Sequence, residues 1–412
     1  MRVYIKTFGC RTNIYDSELI KQYASDAEIV ENEKDADIII VNSCTVTNGA
    51  DFDCRNYIHH AKALDKKVIM TGCGAISRGK ELYDNGDLFG VFGMSQKKDI
   101  NKFINSKAPF YDIGNLQNVD ENALNSYNDK TKAFIKIQEG CNFKCSYCII
   151  PSVRGKSRSM NEESIINEVS SLIDNGFSEF VLTGTNIGSY GNDTNSTLGK
   201  LLGKLGNIKG LKRIRLGSLE PSQIDDSFKE ILNESWLERH LHIAIQHTSQ
   251  KMLNIMRRRN KFSSDLELFT WLNELGFALG TDFIVGHPGE SEEIWDEALE
   301  NFKKMPLTHL HAFVYSKREN THSATLNDNI NGTVSKERLK LIKKITENNC
   351  VEFRNKHKKP LEILVERLKG DYYEGYDQYY IKSRIKSNKN LAKKWIKVDD
   401  YDIENEANYC KF

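Results

Sequence analysis

The residues best suited to chemistry are three thiols on one short stretch, Cys141-Asn142-Phe143-Lys144-Cys145-Ser146-Tyr147-Cys148, directly after the strand-like run Ala133-Phe134-Ile135-Lys136-Ile137. A loop of this size can hold three thiolates on a cubane [4Fe-4S] cluster and leave one iron open for a further ligand. Structural zinc takes four protein ligands, and the loop offers neither a histidine nor a fourth cysteine. Three unrelated buried thiols are the bland reading, but free cysteines seldom bunch on a loop.

A second set is recognised by position. Cys10, Cys44 and Cys73 each follow a predicted strand, in Thr7-Phe8-Gly9-Cys10, Val41-Asn42-Ser43-Cys44 and Met70-Thr71-Gly72-Cys73. Parallel strands end on a common edge, so residues far apart in sequence meet there. The expectation is a second three-cysteine cluster with an open iron, with coincidental burial as the alternative. Cys54, Cys350 and Cys410 fit neither set and are expected to be non-ligands.

The elements that must position these groups alternate. Over residues 1–105, apolar runs at 3–8, 36–42 and 67–71 read as strands, with helices beginning near Tyr15 and near Ala50. That order predicts a parallel α/β sheet. Residues 106–130 are rich in Asn and Asp and read as a linker. From 131 to 356, strand candidates at 133–137, 180–183, 212–216, 242–245, 282–285 and 310–315 alternate with helical patterns. These predict a full or partial (β/α) barrel. Residues 357–412, with runs at 362–365 and 379–381, read as a small β domain.

Composition bounds the function. The chain has 412 residues, 39% hydrophobic and 28% charged, enough for two or three packed domains. Its start does not resemble a signal peptide, and no apolar run is long enough to span a membrane, so a cytoplasmic home is expected. Disulfides are rare there, so the nine cysteines point to metal or redox chemistry. A formal charge of +1 excludes a uniformly basic coat but not local patches.

The 141–148 loop resembles the cluster signature of the radical S-adenosylmethionine superfamily. Taken with Thr7-Phe8-Gly9-Cys10-Arg11-Thr12-Asn13, Asn42-Ser43-Cys44-Thr45-Val46-Thr47-Asn48 and Thr71-Gly72-Cys73, the chain is similar to the methylthiotransferases over most of its length. The resemblance implies an α/β fold with an N-terminal parallel sheet domain, a partial barrel of radical S-adenosylmethionine type and a TRAM-like C-terminal β domain. It implies two [4Fe-4S] clusters and S-adenosylmethionine. The cluster at Cys141, Cys145 and Cys148 would cleave the cofactor to a 5′-deoxyadenosyl radical, and the one at Cys10, Cys44 and Cys73 would supply sulfur. An electron donor such as flavodoxin or ferredoxin is implied as well.

Cofactor contacts follow from the same likeness. Tyr147 would lie near adenine, Gly184 and Asn186 at the methionine end, Glu220 toward the ribose, Gln246 beside them, and Ile284 and Gly286 on the adenine strand. A core tyrosine, a common glycine turn and a helix N-cap are the bland readings of Tyr147, Gly184 and Glu220.

Basic residues raise the possibility of a polynucleotide partner. Arg154, Lys156 and Arg158 follow the cluster loop, and Lys251, Arg257, Arg258, Arg259 and Lys261 form an acid-free group. Between Arg354 and Lys397 stand 13 basic residues against five acidic ones, with Tyr372, Tyr373, Tyr376, Tyr379 and Tyr380 interleaved. Phosphate contacts and base stacking would use such residues, although solvated faces and a tyrosine core explain them too. Cys44-Thr45-Val46-Thr47-Asn48 and Tyr315-Ser316-Lys317-Arg318 resemble the branch acting on N6-threonylcarbamoyl-adenosine 37 of tRNA, with Arg154, Arg158, Arg257, Arg258 and Arg318 expected to hold RNA. Other members modify isopentenyl-adenosine 37 or a ribosomal-protein aspartate. Departures from the family are His247-Thr248 for Ser-Gly, Asn260 for tyrosine and Asn320 for glycine. A non-catalytic RNA-binding protein stabilised by metal is the alternative from another class.

Overall fold

β-branched residues set the first sheet. Ile38-Ile39-Ile40-Val41 is buried throughout, as a central parallel strand covered on both faces must be. In the computed structural model, which describes residues 1–117, 124, 125, 127 and 130–411, this sheet has six parallel strands. They are β1 (Arg2–Thr7), β2 (Glu28–Ile29), β3 (Ile38–Ser43), β4 (Lys67–Gly72), β5 (Gly90–Phe92) and β6 (Phe110–Asp112), in the order β2-β1-β3-β4-β5-β6. Thr7 pairs with Asn42 and Asn42 with Thr71, so β1, β3 and β4 end level. Neighbouring strands lie about 4.8 Å apart, so the residues that follow these ends converge.

The second unit holds β7 (Ala133–Glu139), β8 (Arg158–Ser159), β9 (Glu179–Gly184), β10 (Arg213–Leu216), β11 (His240–His242), β12 (Ala278–Val285) and β13 (Leu307–Val314). β8 is antiparallel to β7, and the rest run parallel as β7-β9-β10 and β11-β12-β13. Parallel bridges Ile214–Leu237 and Leu219–Ile243 join the two groups into a partial barrel. Helix Arg11–Tyr23 of the first unit lies on β7 and β9, and its buried Tyr15 and Leu19 belong to the barrel's own apolar core.

After the long helix Gly332–Lys356, the chain forms β14 (Leu361–Lys369), β15 (Tyr372–Tyr376), β16 (Lys382–Ile385), β17 (Trp395–Val398), β18 (Tyr401–Ile403) and β19 (Asn408–Cys410). Their order is β17-β14-β15-β16-β19-β18, antiparallel apart from the β16–β19 pair.

Several sequence expectations shift. Helix Arg11–Tyr23 starts directly at Cys10 instead of near Tyr15. The expected linker supplies β6, so the first sheet continues past residue 105, while 118–123, 126, 128 and 129 lie outside the described residues. Only the first residue of the 242–245 run is in a strand. The 379–381 run is a turn, because the Asp377 carboxylate accepts from the backbone N–H groups of Tyr379 and Ile381 at 2.9 Å. No helix among the described residues is long and apolar enough to cross a membrane.

Candidate active site

Strand ends place the first thiols. Cys10 caps helix Arg11–Tyr23, Cys44 follows β3, and Cys73 opens helix Cys73–Ser77. Two glycines make the approach possible. Gly9 has φ +96°, and a Cβ there would stand 2.5 Å from the Cys44 Cβ and 2.8 Å from its Sγ. Gly72 has φ +89°, and a Cβ there would collide with the Ser43 carbonyl oxygen. Neither position admits an L side chain without moving a cysteine-bearing segment.

The barrel thiols sit on the turn that leaves β7. The Phe143 N–H points at Cys141 Sγ (3.4 Å), Asn186 Nδ2 lies 3.7 Å from the same sulfur, and Arg258 Nη1 lies 3.6 Å from Cys145 Sγ. Both sets line a single cavity of about 370 Å³, together with Asn13, Tyr147, Arg154, Asn186, Glu220 and Gln246. No cysteine of the chain is in a disulfide. Burial pushes the Cys73 thiol up to about 11 and Cys148 to about 12, so metal binding here must displace protons.

Spacing separates a cluster from a single ion. Around one zinc, with Zn–S about 2.3 Å, thiolates lie roughly 4 Å apart. Among the described residues the one group of three His, Cys, Asp or Glu ligand atoms mutually within 4.8 Å is His242, Asp282 and His311, not either thiol set. The thiols therefore suit a larger, multi-iron group.

Between the two sets stands Arg154. Its Nε donates to Cys73 Sγ (3.1 Å), Nη1 pairs with Asp16 (2.9 Å) and Glu139 (2.6 Å), and Nη2 donates to Asn13 Oδ1. Lys136, buried on β7, pairs with Asp16 at 2.7 Å and Glu139 at 3.2 Å. Burial alone would raise the Asp16 and Glu139 carboxyls, but the surrounding cations hold both below their ordinary range. This ionic core ties the first sheet to the barrel directly behind the cavity.

Residues 2–93 match the family described as "Uncharacterized protein family UPF0004", and residues 135–302 match the "Radical SAM superfamily". The chain is 47% identical over 416 residues to a Helicobacter pylori protein called "Putative methylthiotransferase", covering 100% of both. It is 33% identical to the Bacillus subtilis "Threonylcarbamoyladenosine tRNA methylthiotransferase MtaB", covering 96% of this chain and 93% of that one. A "tRNA-2-methylthio-N(6)-dimethylallyladenosine synthase" of Thermosipho melanesiensis is 32% identical, with 91% and 90% covered. The chain belongs to the radical S-adenosylmethionine methylthiotransferases. Its fold is shared with the radical S-adenosylmethionine methyltransferase TsrM of Kitasatospora setae, at TM-score 0.61 and 15% identity over 78% of this chain and 77% of that one.

A methylthiotransferase of this superfamily uses S-adenosylmethionine and two [4Fe-4S] clusters, and the six cavity-lining thiols are the residues that fit them. Other expected contacts fall unevenly. Tyr147, Gln246 and Ile284 line one recess and Gly184 and Asn186 the adjoining wall. Gly286 does not line either, because it packs against Ser335. Glu220 lines the cavity, but its carboxylate is held by a two-pronged ion pair with Arg258 and so is already engaged.

Four of the five arginines expected to hold RNA are enclosed within the methylthiotransferase. Arg154 is in the ionic core, Arg158 bonds the Arg154 and Lys156 carbonyls and pairs with Glu139, Arg258 holds Glu220, and Arg318 holds Asp51. Arg257 alone of the five is exposed. Sequence reasoning also missed Asn13, Asp16 and Glu139. Charged residues inside the otherwise apolar 133–139 run were the available signal.

Proposed function

We propose that the chain is a tRNA methylthiotransferase acting on C2 of N6-threonylcarbamoyl-adenosine 37. The observation that carries this reading is the single cavity walled by six thiols from two sheets. Radical formation and sulfur delivery must occur within reach of one substrate carbon, and a shared cavity meets that need. When bound, the clusters and S-adenosylmethionine supply a carbon-centred radical able to remove an unactivated hydrogen and a sulfur to replace it.

The chain's own groups prepare this. Arg258 and Asn186 direct N–H groups toward the barrel thiols, and Arg154 toward Cys73, which favours negative charge on those sulfurs. Tyr147, Ile284 and Phe313 give the recess beside Cys148 apolar walls suited to a purine. The two stretches that resemble the threonylcarbamoyl branch meet at this recess. Val46 and Thr47 line it with Tyr315, Ser316 and Arg318, and the Asn48 N–H donates to Ser316 Oγ at 2.9 Å. Exposed Lys144, Lys251, Arg257, Arg259 and Lys261 near the cluster loop are available for phosphates.

Nucleoside mass spectrometry of tRNA from a deletion strain tests the reading. Loss of the methylthio form of threonylcarbamoyl-adenosine is expected. An unchanged level, with loss of methylthio-isopentenyl-adenosine instead, would move the substrate to the other tRNA branch.

A further inference from the structure

We propose that His242, Asp282 and His311 form a binding site for a divalent transition-metal ion that uses none of the six thiols and borders their cavity, which Asp282 also lines. The three residues come from adjacent parallel strands, and Asp282 is paired directly with His311. Their ligand atoms all lie within 4.8 Å of one another. His242 Nε2 is 3.1 Å and His311 Nδ1 is 3.7 Å from the same Asp282 oxygen, and the two rings are 4.8 Å apart. Ligands held about 2.0–2.2 Å from one ion stand roughly 3–3.5 Å from each other, close to this arrangement.

The buried His242 Nε2 and the His311 Nδ1 both address a single Asp282 carboxylate oxygen, so three ligand atoms already converge on one point that a bound ion would occupy. Space is kept for the rings by Gly280, where a Cβ would come within 2.8 Å of His242 Nδ1 and 3.0 Å of His240 Nε2.

Two imidazoles and one carboxylate select Zn²⁺ or Fe²⁺ over Mg²⁺ or Ca²⁺, which prefer all-oxygen shells. Three protein ligands leave positions free. His242 and His311 face the space that Cys10, Arg11, Thr12 and Ser218 also line, and the exposed His311 side chain gives an ion a way in. An ion there would offer an oxygen donor of a substrate a binding position beside the first thiol set.

The test uses the full chain with both clusters assembled, so that the thiols are occupied. Zn²⁺ alone is added, unbound metal is removed, and retained zinc, iron and sulfide are measured together. One retained zinc per chain with iron unchanged, lost or weakened at least about tenfold in both His311→Ala and Asp282→Asn, is expected. His311 is exposed, so its replacement leaves the packing intact and serves as the folding-safe variant. No retained zinc in the native chain, or equal retention in His311→Ala, overturns the proposal.

Discussion

Removing the Arg154 guanidinium would leave Asp16 and Glu139 in a dry pocket with fewer cations, and would take a donor from Cys73 and from Asn13. Taking one partner from a buried ionic group costs about 3 kcal/mol or more. Arg154→Met should therefore lower the unfolding free energy by about 3 kcal/mol in a urea titration. An unchanged midpoint and slope would show that the network contributes little. At this scale the convergence of each thiol set was legible in the sequence, because their positions after strands are fixed by the chain. The arginines were not. A run such as Arg154, Lys156 and Arg158 looks like a phosphate-binding surface until Asp16 and Glu139, distant in sequence or hidden in a strand, are brought against it. Glu220 does line the cavity, but its ion pair with Arg258, which lies on another loop, could not be read from the sequence.

Strands and turns carry the thiols, so the sharpest element-scale test is at a turn. Gly72→Ala places a Cβ into the Ser43 carbonyl at a left-handed φ of +89°. The strained conformation alone costs about 1–3 kcal/mol. The variant should bind roughly half the native iron, losing the share held by Cys10, Cys44 and Cys73; full iron content would contradict that role of the turn. In the C-terminal sheet, burial raises the Asp377 carboxyl from 3.8 to about 6, although Tyr379 and Ile381 N–H groups and nearby arginines oppose the shift. Between those values the folded chain keeps a proton that the unfolded chain has lost, so stability falls as pH rises through the window and is level above it. Asp377→Asn should remove that contribution. Its stability relative to the native chain should rise from pH 4 to pH 6 in denaturant titrations, and a constant difference would refute the assignment. The same carboxylate explains why the 379–381 run, apolar and aromatic enough for a strand, forms a turn. By contrast, the 38–43 strand needed no partner to be recognised, because four β-branched residues in a row fit a doubly covered sheet.

Across the whole molecule, helix Arg11–Tyr23 is the joint. It begins at a thiol of the first sheet and buries Tyr15 and Leu19 in the barrel core, which brings thiols more than sixty residues apart in sequence to one cavity. Alternating strands and helices made both sheets legible, but not the packing of this helix, whose inward face matches the surface of β7 and β9 only in three dimensions. Net charge is likewise an average. The exposed Arg257 and Arg259 should each contribute about one released counterion to tRNA binding. Replacing both by alanine should therefore make the plot of log affinity against log salt shallower by roughly 2, and an unchanged slope would place the RNA elsewhere. The shared cavity itself is tested most directly by a product assay on the Cys73→Ala variant. Clusters are assembled as far as the variant allows, and tRNA bearing threonylcarbamoyl-adenosine, S-adenosylmethionine and a reductant are added. Mass spectrometry should find 5′-deoxyadenosine and no methylthio nucleoside, because the barrel thiols remain while the set proposed to supply sulfur is broken. A native yield of methylthio nucleoside from this variant would contradict the account.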